Sequence, residues 1–170
     1  TRKIQPGRTI RINRTWDDGD QILLQLPMQV QTSRWAQNSA AVERGPLVYA
    51  LRIEEEWKPV KGTDHYGDYF EVLPRSDWNF GLLSEAVENP SQFFRVVKRK
   101  TGERYPWNLK NAPIELVTNG KQLERWELYN HMPGPLPHNR LQTRDQPARE
   151  IRLVPYGCST LRITQFPVVN

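Results

Sequence analysis

The stretch AAVERGPLVYAL, residues 40–51, decides the fold of this 170-residue chain. Its apolar run is broken by Gly45-Pro46 and resumes as LVYAL over residues 47–51. Proline fixes φ and gives up a backbone donor, whereas glycine adopts conformations that other residues avoid. The pattern therefore predicts a buried strand entered through a tight turn, with strand segments on either side of a kink or bulge at Gly45. We expect these residues to belong to the hydrophobic core and to have no catalytic role.

Upstream of this stretch, the sequence predicts three more strands. Residues 9–14 and 21–26 alternate apolar and polar side chains, which is the period of a half-exposed strand. Between them, residues 16–20 are rich in turn-forming types, so the two strands are predicted to form a hairpin. Residues 30–35 predict a third, weaker strand, and residues 37–39 a turn into the central run.

The middle of the chain is more polar and more irregular. The stretch near residues 54–66 indicates an exposed connection, and it is the candidate boundary if the chain has two lobes. Residues 80–87 are predicted as either a strand or a short helical turn, since periodicity alone does not separate the two. Further on, Asn119-Gly120 predicts a hairpin between two strands.

The C-terminal part predicts a closing pair of strands, residues 151–154 and 160–166, around Pro155-Tyr156-Gly157. Short apolar pieces separated by many of the 14 prolines and 10 glycines are typical of an all-β fold. We therefore predict one domain over residues 1–170, an antiparallel β-sandwich or jelly roll with little or no helix.

Composition limits the partners of the chain. The 24 basic and 19 acidic residues give a net charge of +5 and a pI near 9.5. The basic residues are scattered along the sequence, which indicates a solvated mixed surface and disfavours a nucleic-acid interface. No apolar run is long enough to span a bilayer. We therefore predict neither nucleic acid nor membrane as a partner.

The first residues carry no starting Met and no apolar core of a signal peptide. This predicts that Thr1 is a cut point within a longer parent protein. Any targeting signal would then lie upstream of Thr1, so this stretch does not indicate a compartment.

The reactive side chains suggest no catalytic site. Cys158 is the single cysteine, which excludes an internal disulfide and a multi-cysteine zinc site, and its place beside an apolar strand predicts a small buried hydrophobe. The three histidines have no metal-binding spacing. The carboxylates at residues 17–18 and 54–56 belong to turns and connections, where they are solvated. We therefore predict no catalytic residue, no metal site and no cofactor in this chain.

Tryptophan raises an alternative, because the chain has six of them and an exposed indole face can stack on a sugar ring. Four are considered for such a platform: Trp57, Trp78, Trp107 and Trp126. Trp126 fits a strand pattern and is expected in the core. Trp78 and Trp107 are the preferred carbohydrate-binding residues, because both lie in predicted turns.

A proline-rich loop follows Tyr129 and contains Pro133, Pro135, Pro137 and Pro147. It is too rich in proline for regular structure and too long for a simple connection. Because it has few backbone donors, its first part is predicted to lie on another surface. The candidate contact residues are Asn130, His131, Pro133, Pro135, Pro137 and His138.

Three segments resemble one known family. VERGPLVYAL, residues 42–51, resembles the RGPLVY segment of the bacterial β-L-arabinofuranosidase family of glycoside hydrolases. INRTWDDGDQILLQLPMQV, residues 12–30, is similar to that family's R-x-W-x-x-G-D-x-I-x-L-x-L-P-M segment. IRLVPYGCSTLRITQFPV, residues 151–168, is similar to its closing P-Y-G-C-T-T-L-R-I-T-x-F-P segment. The three come in the family's order and span most of the chain.

The resemblance implies a non-catalytic role for this chain. In that family, catalysis belongs to an N-terminal α/α barrel that holds a cysteine nucleophile and a zinc-binding cluster, and the matched segments belong to the β-rich C-terminal part. The resemblance thus implies an accessory domain whose partner is the catalytic barrel of the same parent, acting on plant-type polysaccharide. Zinc would belong to the parent's catalytic domain, and the proline-rich loop would contact the barrel. The alternative function is a self-sufficient carbohydrate-binding module.

Overall fold

The computed structural model describes residue 5 and residues 7–102, 104–137 and 146–170. Twelve strands and two short helices lie within these residues. The strands are β1 (Val30–Trp35), β2 (Ser39–Arg44), β3 (Leu47–Leu51), β4 (Glu55–Val60), β5 (Tyr69–Pro74), β6 (Phe80–Leu83), β7 (Arg95–Lys98), β8 (Ile114–Gln122), β9 (Leu128–Tyr129), β10 (Met132–Pro133), β11 (Ala148–Pro155) and β12 (Phe166–Val169). The helices are α1 (Ser84–Glu88) and α2 (Pro90–Phe93), and a 3₁₀ turn spans Tyr156–Cys158.

The predicted all-β class is confirmed, since strands make up 40% of the structure and helices 8%. Within the described residues, eight strands join one large sheet, while β4 with β5 and β9 with β10 form two separate small hairpins. Almost every pairing is antiparallel. The exception is β12, which runs parallel to β6.

The large sheet closes on itself. β2 pairs with β1 along its whole length, so its other edge is left for both β3 and β12. β8 is shared in the same way, with β11 on one edge and both β7 and β6 on the other. The pairs β3–β11 and β6–β12 complete a circuit of hydrogen-bonded strands. The strands of the large sheet are thus joined by hydrogen bonds in one closed circuit that is mostly antiparallel, as the predicted all-β class requires.

The core lies inside this circuit. Its largest fully buried side chains come from five different strands and include Tyr49, Leu82, Leu116, Leu153 and Phe166. The expectation that residues 40–51 form core is confirmed for the ends of the stretch, which are buried in β2 and β3. Where a kink or bulge was predicted, Gly45 and Pro46 make the two-residue turn of a β2–β3 hairpin, and Gly45 has a φ of +58°.

The predicted hairpin of residues 9–14 and 21–26 is wrong. Residues 7–29 contain no strand, although the turn of residues 17–20 forms and is closed by a 3.1 Å bond from the Asp20 N–H to the Asp17 carbonyl. The next strand along the chain, β1, has the predicted bounds. The alternating pattern of residues 9–14 and 21–26 is typical of a strand. In the described part of the chain, however, neither segment pairs with a strand.

The predicted hairpin at Asn119-Gly120 is also wrong, because β8 passes straight through both residues. Gly120 serves close packing there. A Cβ atom on Gly120 would lie 2.8 Å from Ile151 Cδ1 and 2.9 Å from the Gly81 carbonyl oxygen. Glycine is thus required by the approach of β6 and β11 to β8, and no turn is involved.

The predicted closing pair is wrong as well. β11 pairs with β8 and β3, whereas β12 pairs with β2 and β6. The 3₁₀ turn at residues 156–158 directs the chain away from β11, so the last two strands lie in different parts of the circuit.

For residues 80–87 the sequence left a strand and a short helical turn open, and the structure contains both. Residues 80–87 begin as strand β6 and continue as helix α1. The stretch near residues 54–66 is exposed and contributes β4 and the loop of the β4–β5 hairpin. No helix in the described residues is long and apolar enough to cross a membrane.

Candidate functional site

A cleft of about 660 Å³ lies where three segments meet beside the circuit. The end of β3 and the start of β4 supply one wall, residues 107–110 a second, and the turn after β11 a third. The side chains that matter for binding are two indoles and several charged groups. They are Arg52, Glu54, Trp57, Trp107, Lys110 and Arg162.

Both indoles reach solvent. Trp57 is 52% exposed and Trp107 is 38% exposed. Trp57 packs edge to face on Phe70, with 6.0 Å between the ring centroids, and its Nε1 donates to Glu55 Oε2 at 3.2 Å. These contacts hold the Trp57 ring in place on the β4–β5 hairpin, so the cleft has an ordered aromatic wall.

Glu55 connects two walls of the cleft by hydrogen bonds. Its Oε1 accepts hydrogen bonds from the backbone N–H groups of Thr160 and Leu161, at 2.5 and 3.0 Å. The carboxylate therefore joins β4 to the turn after β11 and positions Trp57 at the same time. The sequence predicted that the carboxylate of Glu55 is solvated, but in the structure it holds two segments together.

Two arginines are fixed at the cleft. Arg52 donates from Nη1 to the Leu109 carbonyl at 2.9 Å, and its Nε lies 3.2 Å from Glu54. Arg162 donates from Nε to the Ser159 carbonyl at 2.8 Å, and its guanidinium lies 4.2 Å from the centre of the Tyr156 ring. Guanidinium groups held in this way can bind anionic or hydroxyl oxygens with little reorganisation.

Beneath Arg52 lies a buried carboxylate with three arginine partners. Glu115 on β8 is fully buried and is paired with Arg52 at 3.0 Å, Arg99 at 2.9 Å and Arg152 at 3.1 Å. The hydrogen bond that Arg152 Nη1 donates to Glu115 Oε2 raises the pKa of the Arg152 guanidinium. Arg52 is also paired with Glu54 and Arg152 with Glu150, so the three arginines of this network share three carboxylates.

A second cleft, of about 480 Å³, is basic. The charged residues that line it are Arg99, Lys100, Arg104 and Lys110, and the described lining includes no carboxylate. Glu103 lies outside the described residues. Lys110 lines both clefts, so the aromatic cleft and the basic cleft adjoin.

The two preferred tryptophans of the sequence prediction are placed differently. Trp107 lines the aromatic cleft, as does Trp57. Trp78 is half-buried and packs edge to face on Trp126, with 5.1 Å between centroids. Trp126 is buried, as expected, and donates from Nε1 to the Gly134 carbonyl at 2.9 Å. Trp57 was considered for a sugar platform but was not among the preferred residues, because its segment does not alternate and was predicted to be a connection; it lies in β4 and lines the aromatic cleft.

The first part of the proline-rich loop is more regular than expected. Asn130 and His131 have positive φ values of 49° and 62° and form the turn between β9 and β10, with Pro133 in β10. Pro135 is exposed and Pro137 is half-buried, while Leu136 packs against the core. His138 lies outside the described residues. The predicted contact residues that the structure describes therefore lie on a segment that Leu136 anchors to the core.

Cys158 is buried, as predicted, in a small apolar cluster with Ala112 and Val154. Burial raises the pKa of its thiol, so the thiolate that a nucleophile or a metal ligand requires is disfavoured there. Within the described ranges, no group of three or more His, Cys, Asp or Glu side chains is arranged to hold a metal ion.

No protein-family model, no curated protein and no solved structure matches this chain.

Proposed function

We propose that this chain is a non-catalytic β-domain of a glycoside hydrolase that resembles the β-L-arabinofuranosidase family, and that it packs on and stabilises the catalytic α/α barrel of the same parent. The family assignment is supported by the three ordered sequence segments. The packing role is supported by one structural observation, the exposed apolar segment that precedes β1.

This apolar segment, residues 21–28, exposes most of its large side chains. Ile22 is 65% exposed, Leu24 59% and Leu26 70%. Burying a side chain of this kind contributes roughly 1.5–3 kcal/mol. A soluble domain rarely leaves such a contiguous patch in water, and a patch of this kind marks a contact surface.

The apolar segment is held at its end. A Cβ atom on Gly45 would lie 2.7 Å from Met28 Cε, so the Met28 side chain covers the β2–β3 turn. The β9–β10 hairpin presents further exposed apolar residues, Leu128, Tyr129 and Met132. Both surfaces offer apolar area to a partner, and the barrel is the partner that the resemblance implies.

The parent is tested by reading the coding sequence upstream of Thr1. We expect the frame to continue into several hundred residues of helical repeats with clustered cysteines and a glutamate of the family's type. A frame that opens with Met and a signal peptide close to Thr1 would contradict the proposal.

The contact surface is tested on the 170-residue chain by light scattering and by binding of an apolar dye across a range of concentrations. We expect self-association and dye binding, both reduced in the double variant Leu24→Ser/Leu26→Ser. Tyr66→Ser, which changes an exposed aromatic on the β4–β5 loop, is the control and should change neither. A monodisperse monomer that binds no dye would count against the packing role.

A second candidate function, a self-sufficient carbohydrate-binding module, is favoured by a different observation. Trp57 and Trp107 lie exposed in one cleft together with fixed polar groups. Apolar ring faces beside a few ordered hydrogen-bonding groups are typical of small-molecule sites.

A further inference from the structure

We infer that the two adjoining clefts form one binding site for an anionic polysaccharide, with sugar rings on Trp57 and Trp107 and the acidic groups at the basic cleft. The inference rests on the second candidate function and names its ligand class. It is independent of the packing role, which concerns residues 21–28.

The shape of the site calls for an extended ligand. The aromatic cleft of about 660 Å³ and the basic cleft of about 480 Å³ each fall in the range of small-molecule sites, roughly 300–1,000 Å³. They are joined at Lys110, which lines both. One monosaccharide would occupy only part of this surface, whereas neighbouring residues of a chain could occupy both clefts together.

The charges select an acidic ligand. Arg99, Lys100, Arg104 and Lys110 line the basic cleft, and Arg99 is held there by the buried Glu115 at 2.9 Å. Carboxylate and sulfate groups accept charge-assisted hydrogen bonds from such side chains. A neutral polysaccharide would offer these cations only hydroxyl oxygens, which accept weaker hydrogen bonds than carboxylate or sulfate oxygens do.

The aromatic cleft favours a sugar over a nucleic acid. Glu54 and Glu55 line it beside the indoles. Every residue of an acidic glycan still carries hydroxyl groups that can donate to these carboxylates, whereas the phosphate on each residue of a single-stranded nucleic acid can only accept. An oligonucleotide is therefore the competing ligand that the experiment has to exclude.

The experiment measures binding of hexagalacturonate, a sulfated dextran oligosaccharide, a neutral hexasaccharide and an oligothymidylate by calorimetry and tryptophan fluorescence. We expect tighter binding of the acidic glycans than of the neutral one, and weaker binding at high salt. The carboxylated and sulfated arms identify which acidic group the site prefers.

Variants locate the site. We expect Lys110→Gln to weaken binding of the preferred acidic glycan by about tenfold, and Trp107→Ala by about tenfold for every glycan that binds. Arg125→Gln, an exposed charge on the turn after β8, and Trp35→Ala, an exposed indole at the end of β1, are the matched controls and should leave binding unchanged. Far-UV circular dichroism checks that each variant is folded.

The outcomes separate the inference from the function on which it rests. Equal affinity for acidic and neutral glycans, with no effect of Lys110→Gln, would overturn the inference and leave a carbohydrate-binding module. No response to any glycan would overturn both. Tighter binding of oligothymidylate than of hexagalacturonate would overturn both in favour of a nucleic-acid site.

Discussion

Among single residues, Glu115 has a large expected effect on stability. Its carboxylate is fully buried and is the common partner of Arg52, Arg99 and Arg152, which come from three different parts of the chain. A buried charge is tolerated only when it is paired and hydrogen-bonded. Glu115 therefore joins these parts through one carboxylate.

Replacing Glu115 by Gln should destabilise the protein by roughly 1–3 kcal/mol, because three partly exposed guanidinium groups lose their shared buried anion. The measurement is urea unfolding followed by circular dichroism. Glu150→Gln is the matched control, since Glu150 pairs with Arg95 and Arg152 at a half-exposed position. It should cost less than about 1 kcal/mol. If both substitutions lowered the unfolding free energy by the same amount, the buried ion pairs of Glu115 would contribute no more stability than the exposed ones of Glu150.

Cys158 predicts a dependence of stability on pH. Burial raises the pKa of its thiol, so the folded state holds the proton more tightly than the unfolded state. The resulting stabilisation is fully present below about pH 8.5, the ordinary thiol pKa, and is lost as the pH rises toward the folded value. We expect the unfolding free energy of the native chain to fall above about pH 8.5 more steeply than that of Cys158→Ala. Parallel pH profiles would contradict the prediction.

The candidate site was only partly predictable at this scale. The buried state of Cys158 follows from its apolar neighbours, and Trp107 was singled out because it lies in a turn. Trp78 also lies in a turn, yet its ring packs on Trp126, and Trp57 lies in a strand, yet it lines the cleft. Exposure of a large aromatic depends on what the rest of the chain places beside it, and local sequence does not contain that information.

At the scale of elements, β8 shows how a strong local signal can be overridden. Asn-Gly favours a two-residue hairpin turn, but here the pair continues a nine-residue strand. Gly120 is needed because β6 and β11 approach it closely, and Asn119 is exposed. By contrast, β1 was predicted with its observed bounds because it pairs with its neighbour in sequence, β2.

Gly120→Ala should destabilise the protein by about 1–3 kcal/mol, because the new methyl group would overlap Ile151 and the Gly81 carbonyl. Thermal and urea unfolding measure the change. Gly102→Ala is the control, since a Cβ atom there meets nothing within 4 Å and its φ is not positive. A Gly120→Ala variant as stable as the native chain would mean that β6 and β11 lie further from β8 than described.

At the scale of the whole molecule, the closed circuit makes the large sheet one cooperative unit. β12 pairs with β2 on one side and β6 on the other, and Phe166 is fully buried at this closure. The all-β class was predictable because frequent prolines and glycines limit element length. The circuit was not, since the partners of β12 lie about 85 and 125 residues earlier in the chain and no local pattern specifies them.

Phe166→Ala should cost about 3–5 kcal/mol through the lost burial and the cavity left behind. Because the circuit is one unit, we expect circular dichroism and the fluorescence of the buried Trp126 to shift together to lower urea. Phe70→Ala, on the exposed face of β5, is the control and should change stability little. Separate transitions from the two probes would contradict a single cooperative sheet.

The place of β12 also sets the order in which the protein can fold. The backbone N–H of Val168 donates to the Asn38 carbonyl at 2.9 Å, so a hydrogen bond of the closure joins residues 130 positions apart. Contacts of such large sequence separation form late and slow folding. During synthesis, β1, β2 and β3 can pair as soon as they leave the ribosome, but the circuit stays open until residues 166–169 have emerged. Until then the core side chains of β2 and β6 are exposed, and this nascent state is the one most open to aggregation and to chaperone binding.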